Sequence, residues 1–335
     1  MMSNKVMVTG GSGFLGAHIA THLSERGDEV VIYDQMTPSN ERAWLISRAK
    51  GQVKFERGSI EDLPSILSAI KKYAIEKVIH CGAIADHFFL RQNPYTALRV
   101  NVLGTINVLE AVRFLQLERI VFASTYGVLT TKQYEPLDEY HPVLLPEGPA
   151  TGFYGASKVC CEVFGLCYWV HHGVNFIALR PSGFYGFGMQ IPVYIKPIIE
   201  ESVKGEPVKI TKGGFVPRDY VYIKDVVSAF IKALDVGTES LKERIFMIGT
   251  GKDLVTPAGV AEVVKQILPC SRIEIEDSLP DWDEVKHRGT INIERARDQL
   301  GYEPQYDLRR GIEDYIITYR EFLRSPFYAT PKTRG

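Results

Sequence analysis

Along the first half of the chain, short apolar runs rich in β-branched residues alternate with longer stretches of helical periodicity. The runs "KVMVT" (5–9), "EVVIYD" (29–34), "VKFERG" (53–58), "KVIHCGA" (77–83), "RIVFAS" (119–124) and "NFIALRP" (175–181) read as strands. Helices are expected to start near Phe14, Glu41, Asp62, Pro94 and Tyr154. Wholly apolar strands need cover on both faces, and strands joined through helices run parallel. Right-handed crossovers then predict an α/β fold built on a doubly wound parallel sheet. After Ser182 the pattern loosens. Gly and Pro become frequent in "GFYGFG", "GEPVKITKGGFVPRDY" and "GTGKDLVTP", and helices resume near Pro192, Lys224, Thr256, Glu294 and Leu308. This predicts a first domain over 1–181 and a smaller C-terminal α/β lobe over 182–335, with segments near 220–250 returning to the sheet.

One corner of this pattern carries chemistry. The stretch "TGGSGFLG" (9–16) lies where the first strand turns into the first helix. A Gly inside an element costs roughly 0.5–1 kcal/mol relative to Ala, so these glycines mark a backbone that must stay bare. Gly10, Gly13 and Gly16 suit a sharp turn, a close approach by pyrophosphate and tight helix–strand packing. Free N–H groups at the helix start, at Phe14 and Leu15, would face the phosphates. The second strand ends in Asp34, at the distance where an acid accepts from a ribose diol and repels a 2′-phosphate. Together these predict a Rossmann-type dinucleotide site for NAD rather than NADP. The alternative is a plain turn with Asp34 as a turn residue.

Composition narrows the partners. The 335 residues carry a formal net charge of −1, which gives no general attraction to nucleic acid or to an anionic membrane. No apolar run reaches the roughly 20 residues of a membrane helix, and the N-terminus does not resemble a signal peptide. Five cysteines without metal-ligand spacing predict reduced thiols in a cytoplasmic setting and no metal site.

The T-G-x-x-G-x-x-G spacing, with "YGASK" far downstream, resembles the extended short-chain dehydrogenase/reductase family, nearest its sugar-nucleotide epimerases and dehydratases. The likeness spans nearly the whole chain. "HCGAIA" (80–85) resembles the family's strand-four segment and implies cofactor contacts from Cys81, Gly82 and Ala83. "NPYTALRVNVLGTINVLEA" (93–111) resembles its Asn-Val-x-Gly-Thr helix and implicates Asn101. "LRPSGFYGFG" (179–188) resembles its Leu-Arg-Pro segment. That places Pro181 at the cofactor and Gly183 where sugar-nucleotide enzymes usually carry an Asn. Gly58, Ser59 and Ile60 stand where the family often has Gly-Asp-Ile, which puts Ser59 and Ile60 by the adenine. "RDYVYIKDVV" (218–227) and "VKHRGT" (285–290) imply that Arg218 and Arg288 grip a nucleotide diphosphate. Paired planar donors suit a guanidinium to phosphate; surface ion pairing is the alternative for both.

Tyr-x-x-x-Lys occurs four times: Tyr73/Lys77, Tyr154/Lys158, Tyr220/Lys224 and Tyr328/Lys332. Only "YGASK" opens a helix directly after the fifth strand and its loop, where i, i+4 spacing puts both side chains on one face. There Lys158 is expected to reach the cofactor ribose and to lower the Tyr154 pKa from roughly 10 toward neutrality, giving a general acid and base. Laying "VFAST" on the family's Ser-Ser/Thr pattern implies Thr125 on the substrate oxygen, with Ser124 as the fallback. A strand-end hydroxyl that merely satisfies the backbone is the alternative. The family's dehydratases and decarboxylases follow this Thr with acids; Tyr126 and Gly127 stand here, so elimination is not expected.

The resemblance therefore implies an NAD-dependent epimerase of a nucleotide sugar, working through a transient keto sugar with Tyr154 as general acid/base. The alternative is an NAD-dependent dehydrogenase of a smaller secondary alcohol, a sugar acid or polyol, which Gly183 favours. A third reading is a protein that binds NAD without turnover. The helices at about 94–116 and 154–172 are more apolar than one sheet face needs; in the family two such helices from each subunit form an interface, which implies a homodimer.

Overall fold

The computed structural model describes residues 4–51, 53–144, 151–191, 194–276 and 288–329. The strands, in chain order, are β1 (Lys5–Thr9), β2 (Glu29–Asp34), β3 (Val53–Arg57), β4 (Lys77–His80), β5 (Arg119–Ala123), β6 (Phe176–Pro181), β7 (Gly183–Tyr185), β8 (Val208–Ile210), β9 (Tyr220–Tyr222), β10 (Ile245–Ile248) and β11 (Ile273–Ile275). Seven of them form one parallel sheet in the order β10-β6-β5-β4-β1-β2-β3. The order reverses between β1 and β4, and that switch point opens a crevice at the carboxyl ends of the strands.

Burial follows from the alternation of side chains along each strand. Val6 and Val8 of β1 enter one hydrophobic cluster, and Met7 enters the other. The sheet is thus covered on both faces, as apolar strands require. β3 differs: Lys54 and Phe55 are exposed because this strand is the sheet edge. β10 comes from the C-terminal part of the chain and pairs with β6, Ile245 opposite Ala178.

The long helices begin close to the predicted positions, and local caps explain why. Asp62 accepts from Ser65 N at 3.1 Å, Thr256 from Gly259 N at 3.1 Å and Asp307 from Arg310 N at 2.8 Å. The predicted start at Pro192 lies outside the described residues. The helix expected near Pro94 is broken into pieces: His87–Gln92, a turn at Pro94–Thr96, a π-helical stretch Ala97–Leu103 and an α-helix Gly104–Phe114. π segments are rare and cluster at functional sites, and this one carries Asn101. Two small parallel pairs complete the fold, β8 with β11 and β7 with β9. The second sets Gly183 opposite Tyr220 beside the crevice.

Candidate active site

The glycine corner closes the end of β1 against the end of β4. Gly10 has φ +66°, and a Cβ there would lie 2.6 Å from Gly82 N. A Cβ on Gly16 would lie 2.4 Å from the Gly10 carbonyl oxygen. Neither site admits a side chain. Gly13 would meet only the Gly10 oxygen, at 3.0 Å, so here the bare backbone leaves open space above the turn. Beside it the Ser12 hydroxyl is buried without a hydrogen-bond partner, while Ser12 N donates to Asp34 Oδ2 at 3.0 Å. A cradle that a Cβ would fill, an orphaned hydroxyl and a carboxylate at the end of β2 together fit a dinucleotide. Phe14 stacks on Phe184 at 5.5 Å and joins the first helix to β7; Leu15 is half-buried beside it.

A cation beside Asp34 carries no signal in the sequence pattern. Arg42 is buried on the helix Asn40–Ser47, faces Glu41 and Asp34, and has Nε and Nη1 without partners. Burial lowers its pKa. Ser59 already accepts from Gln35 Nε2 at 2.8 Å and Glu61 N at 3.1 Å, which leaves its O–H as a donor. Gly58 is required because a Cβ would enter the Tyr33 ring. Ile60 is buried against Gly104.

Under the cofactor floor runs a chain of hydrogen bonds whose direction can be worked out. Thr105 donates to the Asn101 carbonyl at 2.6 Å, so its oxygen must accept from His80 Nε2, 3.0 Å away. His80 Nδ1 is then the acceptor for the Thr9 hydroxyl at 2.5 Å, and Thr9 Oγ1 accepts from Gly82 N at 3.4 Å. Burial, with Lys158 nearby, pulls His80 down to about 3, so it is neutral. Asn101 spends its whole side-chain amide on protein. Oδ1 accepts from Ile84 N at 2.8 Å, and Nδ2 donates to Ile84 O and Ser157 Oγ, both at 3.0 Å. The structure thus gives Asn101 a positioning place between the segment Cys81–Gly82–Ala83 and the helix that follows β5, rather than a free amide facing the cleft. Burial pushes Cys81 up to about 12 and Cys161 up to about 11, so neither is a thiolate at neutral pH.

Tyr154 and Lys158 share one face of the helix Phe153–His172. Lys158 Nζ donates to Ala123 O at 2.6 Å and stands 5.7 Å from the Tyr154 ring centre. Here the sequence expectation needs correcting. The protein alone does not bring Tyr154 toward neutrality; burial pushes its phenol above the ordinary value, and burial also lowers Lys158. A dry cleft disfavours charge on both groups, and Lys158 is drawn to a carbonyl rather than to the phenol. The two candidate hydroxyls part company at the end of β5. Ser124 turns inward and donates to Glu162 Oε1 at 2.5 Å. Thr125, extended at φ −159°, is half-buried and accepts from Gly127 N at 3.1 Å, leaving its O–H available.

Directly after Thr125, the Tyr126 hydroxyl is hydrogen-bonded to Arg288, whose guanidinium burial pulls down to about 10. Arg218 is buried, with its guanidinium 4.6 Å over the Tyr194 ring. Its neighbour Asp219 accepts from Ser182 Oγ at 2.7 Å. Pro181, Ser182 and Gly183 therefore pack beside Arg218. A Cβ on Gly183 would meet only the Asp219 carbonyl oxygen, at 3.3 Å. The other Tyr/Lys pairs are not joined on one helix face: Tyr73 hydrogen-bonds Glu56 at 2.7 Å, and Tyr220 lies on β9 while Lys224, on the helix that follows, pairs with Asp314 at 2.8 Å. Lys332 lies outside the described residues. Among the described residues no cluster could hold a metal ion, and no helix is long and apolar enough to cross a membrane.

Known proteins resemble the chain along nearly its whole length. Residues 6–249 match the family model described as the NAD dependent epimerase/dehydratase family. A Methanocaldococcus jannaschii protein provisionally named UDP-glucose 4-epimerase is 33% identical over 93% of this chain and 97% of its own. Human UDP-glucose 4-epimerase is 29% identical over 93% of this chain and 95% of its own. Among solved structures, Thermus thermophilus UDP-glucose 4-epimerase in complex with NAD superposes with TM-score 0.77 at 27% identity, covering 94% of this chain and 98% of that one. A partial-consensus L-threonine 3-dehydrogenase superposes with TM-score 0.81 at 22% identity over 95% of this chain and 99% of that one, a likeness of fold alone. By the family match along most of its length, the chain belongs to the NAD-dependent epimerase/dehydratase family.

Proposed function

We propose that the protein is an NAD-dependent 4-epimerase of a UDP-sugar, with 1–181 as its NAD-binding unit and 182–335 as its substrate lobe. The observation that carries this reading is the wall beside Thr125. The next residue is Tyr126, bound to the Arg288 guanidinium. The wall offers a cation for a diphosphate, and the two residues after Thr125 are Tyr126 and Gly127 rather than acids that would serve elimination. The names of the relatives, UDP-glucose 4-epimerases among them, supply the substrate class.

In this reading Thr125 donates to the reacting sugar oxygen and Tyr154 exchanges a proton with it. Burial favours the phenol, so the oxidation step, in which Tyr154 must take the hydroxyl proton as a phenolate, relies on positive charge beside it; the phenol so formed then protonates the keto oxygen on the return step. NAD held in this cradle would supply the hydride chemistry and, in its oxidised form, a positive charge in the cleft. Lys158, anchored on Ala123, holds a second positive charge on the same helix face. Arg218 and Arg288 keep the diphosphate while the sugar presents its other face, so the keto sugar does not escape. Gly10, Gly13, Gly16 and Asp34 hold the adenosine half.

The dehydrogenase reading draws on Gly183, where no side chain reaches the substrate. Incubating the protein with UDP-glucose, UDP-galactose and free sugar acids separates the two. Interconversion of the UDP-sugars, weakened strongly by Arg218→Ala, supports the epimerase. Turnover of a free sugar acid, indifferent to Arg218→Ala, supports the dehydrogenase.

The assembly is read as a homodimer. On the helix Phe153–His172 the exposed positions Cys160, Val163, Phe164, Cys167 and Val170 form an apolar stripe at helical spacing. Leu103 and Phe114 are exposed on the neighbouring helical segments. A second copy of the same stripe would cover these residues.

A further inference from the structure

A buried charge pair lies directly below the cleft. The helix Phe153–His172 turns Tyr154, Lys158 and Glu162 to one side at four-residue intervals. Lys158 and Glu162 are only 3% and 4% exposed. Arg180, at the end of β6, grips Glu162 through Nε–Oε1 at 2.8 Å and Nη2–Oε2 at 2.6 Å. Ser124 adds its hydroxyl to the same Oε1. A buried ion pair is rarely worth more to stability than well-packed apolar residues of the same volume, so this one calls for another reason.

The contacts suggest one. The end of β5 is held at two successive points by side chains one helical turn apart. Lys158 takes the Ala123 carbonyl, and Glu162 takes the Ser124 hydroxyl. Along extended backbone, successive side chains point to opposite sides. With Ser124 drawn inward, Thr125 is the hydroxyl left at the cleft.

We propose that Glu162, clamped by Arg180, is a positioning residue: it selects Thr125 over Ser124 as the hydroxyl at the cleft and supplies the negative charge that faces the Lys158 ammonium. This rests on the reading of Tyr154 and Lys158 as the reacting pair.

The surrounding charges fix the sign of its effect. Lys158 faces Glu162, the Cys81 and Cys161 thiols, neutral His80, and the rings of Phe122 and Tyr154. Glu162 faces Arg180, Lys158, Ser124 and Cys161. Arg180 in turn faces Glu139, which pairs with Arg295 at 3.4 Å and accepts from Met247 N at 2.7 Å. Glu162→Gln keeps shape and an acceptor for Ser124 but removes a carboxylate whose charge favours the Lys158 ammonium. Lys158 then gives up its proton at lower pH.

The test is the pH profile of kcat for the wild type, Glu162→Asp and Glu162→Gln, with NAD affinity and thermal melting as controls of folding. Glu162→Gln should move the alkaline limb down by about one pH unit, so that kcat falls about tenfold above the limb while KM changes little. Glu162→Asp, which keeps the charge, should leave the limb where it is. Should Glu162→Gln not fold, the Glu162→Gln/Arg180→Gln pair removes the stranded cation as well, and its limb should still move down, by less. A limb fixed at the wild-type pH in whichever of these variants folds would overturn the proposal. Tyr154→Phe, run alongside, separates the two levels. If it turns over normally, the reading of the reacting pair fails; if it is inactive while the limb stays fixed, only the role of Glu162 falls.

Discussion

The Thr9 hydroxyl and the His80 imidazole meet at 2.5 Å beneath the glycine corner. This contact makes the end of β1 and the end of β4 one rigid floor. It also ties that floor to acidity, because the imidazole can accept from Thr9 only while neutral. Burial holds His80 near pH 3, against about 6.5 in the unfolded chain. The unfolded chain therefore binds a proton that the folded one refuses. Stability is complete above pH about 6.5 and is lost as the pH falls toward 3. His18, pulled down to about 4 by burial, acts with the same sign. Between pH 7 and pH 5, urea unfolding of His80→Gln should lose about 2 kcal/mol less than the wild type. An equal loss in both would remove His80 from this role.

NAD should bind more tightly than NADP, because on the proposed reading Asp34 would meet the 2′-phosphate. The buried Arg42 behind it makes the balance adjustable. In Asp34→Ala the cation remains without the anion, so NADP affinity should rise and the preference should narrow. Calorimetric titration of both cofactors checks this. Equal affinities in the wild type would take Asp34 out of the ribose site.

Tyr154→Phe removes one oxygen. Turnover should fall by roughly 10²–10⁴-fold, with NAD affinity and melting temperature nearly unchanged. Tyr73→Phe, whose hydroxyl bonds Glu56 and Lys72 at the β3 edge of the sheet, and Tyr328→Phe, 51% exposed, should turn over like the wild type. Normal rates for Tyr154→Phe would refute the site.

Much of the fold is legible in the amino-acid sequence, and the sequence also names the residues from which the candidate site is built. The first six strands are legible from their short, mostly apolar, β-branched runs, and the helix starts because Asp62, Thr256 and Asp307 are caps. The break at Ala97–Leu103 is not, since a π turn keeps the apolar rhythm of "TALRVNVLGT". β7 and β9 are three residues each, too short for a period to show. The choice between Ser124 and Thr125 depends on the phase of the pleat at the end of β5. Glu162 and Arg180 look like an ordinary helix acid and a strand-end base until the fold brings them together. The direction of the Tyr154 shift is set by burial, which no Tyr-x-x-x-Lys spacing reveals.

A charge placed in the apolar stripe should separate the proposed dimer. Val163 is 55% exposed in the single chain, so Val163→Glu should leave folding intact while an assembled stripe would have to bury it. Light scattering should give a dimer for the wild type and a monomer for the variant. A wild-type monomer at micromolar concentration would count against the assembly.

The central claim, that oxidation and reduction occur on one sugar within one closed site, has a direct test. The protein is given UDP-galactose carrying deuterium at C4, with no added cofactor beyond the NAD it retains, and the UDP-glucose formed is analysed by mass and NMR. The account predicts UDP-glucose that keeps the deuterium at C4, with no build-up of NADH absorbance. A product without the label, or NADH formed in step with an accumulating keto product, would contradict it.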